Sequence, residues 1–216
     1  MNKKNLTAHD VHQEFGEMTW LLMNDVLRSW RELHKATTKE DQDFWKRNFT
    51  RSVFAQIEGF AESFRFEAFA VELNKLISKI SSGEEVSLDM GMLSALAGKS
   101  FMITNDGEMK PQTTRTAFLP NLLFCFKRFA EARGVHVQIK KGDKWSKIES
   151  AVRVRDRLMH PKNPESLDIG EREIGDVVFT LKWFYKQLHS IQKLERQGEE
   201  LKDFPDEIFT LKLKKL

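Results

Sequence analysis

One cysteine, Cys125, in 216 residues rules out an internal disulfide framework and any cysteine-rich zinc module, because both need several thiols. Long apolar runs are missing as well. Charges such as Arg28, Lys75 and Lys127 interrupt every apolar stretch before it reaches the ~18–20 residues needed to span a bilayer. There is no Walker loop and no G-x-G-x-x-G, so nucleotide hydrolysis lacks its phosphate cradle. The opening Met1-Asn2-Lys3-Lys4-Asn5 leads into a polar segment without the apolar core of a secretory signal. The expectation is a soluble cytoplasmic protein with no membrane partner.

What remains is enough for a folded core. Hydrophobic residues make up 40% and charged residues 31%, the balance of a globular chain. At about 100–200 residues per domain, residues 1–216 read as one domain with appendages.

Periodicity predicts helices over most of the length. Thr7-Ala8-His9-Asp10 reads as a capping box, followed by Val11, Phe15, Met18, Leu22, Val26 and Leu33 at helical spacing, for a helix over 8–36. A second helix covers 41–80, with Gly59 as a point of interruption. Its apolar stripe is Phe49, Val53, Ile57, Phe60 and Phe64, continued by Phe69, Leu73, Leu76 and Ile80, and Ser81-Ser82-Gly83 stops it. A short helix follows over 88–96. Phe101–Thr104, Asn105-Asp106-Gly107 and Glu108–Lys110 read as a small β-hairpin, since Asn, Asp and Gly tolerate the positive φ of tight turns.

Residues 116–133 form another helix, with Pro120 in its first turn and Gly134 at its end. A helix over 144–159 ends at the Pro161 and Pro164 loop. Asp168-Ile169-Gly170-Glu171 reads as a capping box for a last helix through Ile174, Val178, Leu181, Phe184, Leu188 and Ile191. The tail, 198–216, alternates like a strand near Phe209. The expected class is all-α: an antiparallel helical bundle with a small β-hairpin insertion.

The charge is uneven. Between Lys127 and Lys162 eleven basic residues face four acids, a local +7, which leaves −4 for the rest of a +3 chain. Such a stretch is the footprint expected of a phosphate-bearing partner, although a solvated helix face carries the same signature.

The helix over 144–160 is the informative one. At ~100° per residue, Trp145, Ile148, Ala151, Val152, Val154, Leu158 and Met159 fill about half the circle, with Arg153 and Arg157 opposite. Arg155 projects from the middle of the apolar arc. A guanidinium cannot lose its proton, so it needs a carboxylate, a carbonyl or an anionic ligand there. The bland solution is an ion pair with an acid of the second helix, Glu58 or Glu62. His160 follows five residues later, roughly 140° away on an ideal helix, but the residue before a proline leaves the α region and its ring is redirected. Taken singly, each residue has an ordinary explanation. Taken together, they make chemical sense: cleaving RNA without a metal needs a base for the 2′-hydroxyl proton and a fixed cation for the phosphorane charge.

Arg155-Asp156-Arg157-Leu158-Met159-His160-Pro161 resembles the R-x(4–6)-H signature of HEPN domains, with polar Asp156 directly after the arginine. The layout of long helices, a motif late in the chain, a proline turn and a further helix is similar over 41–197. The resemblance implies a helical bundle that dimerises and brings two motifs to one cleft. Many members are metal-independent ribonucleases of toxin–antitoxin, abortive-infection or RNA-processing systems, and others are silent binding or assembly modules. On this basis His160 is the expected acid/base, Arg155 the phosphate-stabilising cation and Asp156 a supporting group. Lys144, Arg153, Arg157 and Lys162 are the expected RNA contacts. RNA, a second copy and an antitoxin or other partner protein are the expected partners, with no metal or cofactor. Some toxin members carry a tyrosine two residues after the histidine; Lys162 stands there, so regulation through that tyrosine is not expected.

Elsewhere the signals are weak. His9 and His12 are spaced as a metal pair but have no third ligand in view, and Cys125 in Leu122-Leu123-Phe124-Cys125-Phe126 reads as core. The remaining alternative is a plain helical scaffold in which Arg155 closes a salt bridge.

Overall fold

The computed structural model describes residues 8–87, 89–103, 105, 108–113, 117–139 and 141–195, with the side chains of 8–15, 99–103, 109, 111, 113 and 195 outside the description. The tail over 198–216, the Thr7 cap, and the side chains of His9 and His12 therefore lie outside the described residues. No helix among the described residues is long and apolar enough to cross a membrane.

The chain is mostly helical, as expected. The helices are α1 (Ala8–Lys35), α2 (Lys39–Ser81), α3 (Met90–Leu96), α4 (Phe118–Ala132), α5 (Trp145–Met159) and α6 (Glu171–Glu195), with a 3-10 turn at Pro164–Leu167. Two five-residue strands, β1 (Lys99–Ile103) and β2 (Met109–Thr113), pair antiparallel with Lys99 opposite Thr113 and Ile103 opposite Met109. Of their connection, residues 104, 106 and 107 are outside the description.

Local chemistry explains most boundaries. Thr38 caps α2: its Oγ1 accepts from the Asp41 N–H at 3.1 Å and donates to the Asp41 carboxylate at 2.7 Å. Asp89 caps α3 by accepting from the Met92 N–H at 2.9 Å. Gly134, at φ 70°, turns the chain after α4 in the left-handed region that suits glycine. The cap of α6 differs from the expected Asp168 box. The Ile174 N–H bonds to the Gly170 carbonyl at 3.1 Å, and Glu173 reaches back to accept the Gly170 N–H at 3.0 Å. A helix that starts later places the glutamate, rather than the aspartate, over the orphan donors.

The chain forms two compact units, residues 1–60 with 140–216, and residues 61–139. In the first unit α1 runs antiparallel to α2, with the Trp30 and Phe49 rings 4.9 Å apart. Gly59 does not interrupt α2. A Cβ there would lie 2.8 Å from Leu22 Cδ1, so the missing side chain lets α1 approach. α5 and α6 are also antiparallel, since Trp145 meets Trp183 near one end and Arg157 meets Glu173 near the other. α2 and α6 run the same way: Lys46 pairs with Glu171 at 2.6 Å, and Gln56 donates to the Tyr185 hydroxyl at 2.6 Å. The expected antiparallel order therefore holds for α1 with α2 and for α5 with α6, and not for α2 with α6. The core is built from Val26, Leu33, Phe49, Val53, Ile57, Ile148, Ala151, Val154, Leu158, Ile174, Leu181 and Phe184, all buried.

In the second unit the later part of α2 stacks Phe64 on Phe129, ring centroids 4.2 Å apart, and Glu67 takes both Nε and Nη2 of Arg133 at 2.8 and 3.0 Å. The continued stripe is a correction to the expected core. Leu73 is 38% and Ile80 62% exposed, and Phe69 and Leu76 are only half-buried. A 3.6-residue period marks an apolar face but does not supply the neighbour that covers it.

Candidate functional site on α5

The residues singled out from the sequence are spread along α5 and the turn after it, all within the first unit. Ile148, Ala151, Val154 and Leu158 are buried and set the rotation of the helix, which decides where its charges point. Met159, at 52% exposure, leaves the expected apolar arc for the surface.

That rotation brings Arg155 against α2. Its Nη2 donates to Glu58 Oε1, and its Nη1 donates to Asp156 Oδ1 at 2.8 Å. The Arg155 side chain is 23% exposed, so the guanidinium sits at the rim of the core rather than within it. Burial works against its charge, yet the hydrogen bond it donates to Asp156, and the field of Glu58 with the hydrogen bond donated to it, outweigh burial and raise its pKa above the ordinary value. Of the two acids expected as partners, Glu58 makes the pair, while Glu62 pairs with Arg65.

His160 closes α5. Its N–H bonds to the Asp156 carbonyl at 3.1 Å, and its backbone, at φ −133° and ψ 64°, has left the helical region as a residue before proline should. The imidazole is exposed at the helix end. Arg155 and His160 stand five residues apart, about 7.5 Å of helix axis.

The expected RNA contacts divide. Arg153 and Lys162 are exposed, and Lys144 is exposed at the N-cap of α5. Lys144 and Lys162 lie at opposite ends of a 15-residue helix, roughly 20 Å apart along its axis, so the four cations do not form one cluster around His160. Arg157, expected on a face turned to solvent or phosphate, is instead engaged by the protein itself. It grips Glu173 with Nη1 to Oε1 at 2.6 Å and Nη2 to Oε2 at 2.8 Å. Its Nε donates to the Ser166 carbonyl at 3.1 Å, and Nη2 also reaches the Asp168 carbonyl. The hydrogen bond from Arg157 holds the Glu173 carboxyl below its usual range, and Glu173 in turn raises the pKa of Arg157. The available hint was a glutamate in the first turn of α6, but only the folded turn shows that Arg157 lies beneath it.

Other cations of the basic stretch are committed too. Arg128 pairs with Glu131 at 2.8 Å and Arg133 with Glu67. Lys141 and Lys147 lie 5.4 and 5.6 Å from the centroids of the Trp145 and Phe179 rings. Cys125 is buried, and burial pushes its thiol up to about 11, with Arg65 opposing and Glu62 reinforcing, so it is a poor nucleophile. No cluster of metal-ligating side chains occurs among the described residues. Comparisons with family models, curated proteins and solved structures find no match for this chain.

Proposed function

We propose that the protein is a HEPN-type, metal-independent endoribonuclease that works as a homodimer in the cytoplasm, of the kind used in toxin–antitoxin or anti-phage systems. One observation carries this reading: an exposed imidazole terminates α5 at a proline, on the same helix as an arginine held at the core rim by two carboxylates. In the proposed step His160 takes the proton of an RNA 2′-hydroxyl, and that oxygen attacks the adjacent phosphorus. Arg155 offsets the phosphorane charge, and the 5′-oxygen leaves with a proton, giving a 2′,3′-cyclic phosphate. One imidazole cannot be both base and acid in a single pass, so a second copy across a two-fold axis is the economical source of the acid. Asp156 orients Arg155, while Arg153, Lys144 and Lys162 draw in the backbone of the RNA.

The test is purified protein on mixed cellular RNA in excess EDTA, alongside His160→Ala. Cutting by the wild type alone, with DNA spared for want of the 2′-hydroxyl, supports the reading. Equal cutting by both proteins overturns it. Sedimentation at micromolar concentration tests the dimer.

The contact between Arg155 and Glu58 favours a second reading, a catalytically silent HEPN-like dimerisation or RNA-binding module, because it satisfies the guanidinium without any ligand. Folded wild-type protein that binds RNA and never cuts it supports that alternative.

A further inference from the structure

Arg155 has two anionic neighbours of different kinds. Asp156 is its chain neighbour and travels with it on α5, whereas Glu58 comes from α2, 97 positions away in sequence. Together these three groups carry −1, a sign that opposes the approach of a phosphodiester. A phosphate that takes the place of a carboxylate on Arg155 escapes that repulsion and keeps the guanidinium paired.

Glu58 is the one suited to leave. Its side chain is 42% exposed, so after release its carboxylate is rehydrated at once, and its long flexible chain can swing away without moving α2. Arg157 illustrates the opposite case: both oxygens of Glu173 and two backbone carbonyls surround it, and a phosphate would have to replace them all.

We propose that Glu58 is a built-in counter-ion of the site, an autoinhibitory carboxylate that occupies the phosphate position on Arg155 and is exchanged for the RNA backbone on binding. This rests on the phosphate-binding role given to Arg155 above and adds a control to it. Glu58 is a positioning residue that holds the guanidinium in place while the site is empty and sets the threshold for loading it.

The exchange predicts an effect opposite in sign to that of a structural ion pair. With His160→Ala protein to prevent cutting, binding of a fluorescein-labelled single-stranded oligouridylate is measured by anisotropy. Adding Glu58→Gln, which keeps the shape and removes the charge, tightens binding roughly three- to tenfold. The gain disappears when Arg155→Ala is also present, and Glu58→Asp restores the weaker binding. Unchanged or weaker binding by a Glu58→Gln protein that keeps its native circular dichroism overturns the proposal, as does a gain that persists without Arg155. Should Glu58→Gln fail to fold, the side-chain carboxyl 13C resonance of Glu58 in the His160→Ala protein is followed during RNA titration. Its movement on saturation supports exchange, and a static signal overturns it. A wild type that binds but never cuts, together with the Glu58→Gln gain, removes the nuclease reading and leaves the exchange standing. No binding by any variant removes both.

Discussion

Arg155 and Arg157 stand two residues apart on α5 and meet two different kinds of neighbourhood. On one side of the helix Arg157 is enclosed by the segment that follows it, with Glu173 and the carbonyls of Ser166 and Asp168 all within sixteen positions. On the other side Arg155 touches two carboxylates, one of them brought from α2, and both reach water. The first arrangement is a bidentate fork completed by backbone acceptors, in which charge and geometry are both satisfied. It locks the turn between α5 and α6. The second sets two carboxylates against one guanidinium at the rim of the core, on the helix whose exposed end carries His160. Such a site has a carboxylate to give up, and the turn clamp does not.

Several substitutions can break or sharpen that contrast. The largest effect belongs to the exposed end. His160→Ala is expected to lower RNA cutting at least ~100-fold, as loss of a general acid/base does, while the urea midpoint stays where it is. A fall in both would place His160 in the fold rather than in the chemistry.

Next is Arg157→Ala, which strips Glu173 of its cationic partner and takes a donor from two backbone carbonyls. Urea denaturation is expected to show a loss of roughly 1–3 kcal/mol. Arg157→Lys recovers only part of it, because an ammonium cannot reproduce the fork. Arg155→Ala, whose partners reach water, costs about 1 kcal/mol or less. Equal losses at the two arginines would erase the distinction between them.

A smaller effect appears with acid. Arg157 holds Glu173 below its usual value of 4.5, so the stability from this pair is complete above that pH and is lost as pH falls through the lowered folded value. Plotted against pH, the stability of Glu173→Gln is expected to fall less steeply than wild type below about 4.5. Matching slopes would show that the pair does not form in solution. The smallest expected effect is at exposed Arg153, where Ala weakens RNA binding about two- to threefold, reduces the salt slope by about 0.7 and leaves stability unchanged.

Much of this was visible without coordinates. The helical period sets Arg155 in the apolar arc of α5, where a charge needs a carboxylate, a carbonyl or an anionic ligand, with Glu58 and Glu62 as the candidate acids. The same period sets Arg157 on the face open to solvent or phosphate and Leu73 and Ile80 on the apolar stripe, whereas Arg157 meets Glu173 and the two apolar side chains are exposed. An angle on a helical wheel states which way a side chain leaves its own helix. It does not state what lies there.

The sequence by itself determined several helix boundaries, since capping at Thr38, the turn at Gly134 and the break at Pro161 are settled by atoms within a few residues of one another. Tertiary structure alone decided which charges are already spoken for. The 3-10 turn at Pro164–Leu167 and the start of α6 fold back over Arg157, and the packing of α2 beside α5 delivers Glu58 to Arg155. Those pairings depend on the path of the chain between distant segments, where a small change in a loop or in helix rotation moves a carboxylate by more than the reach of a hydrogen bond.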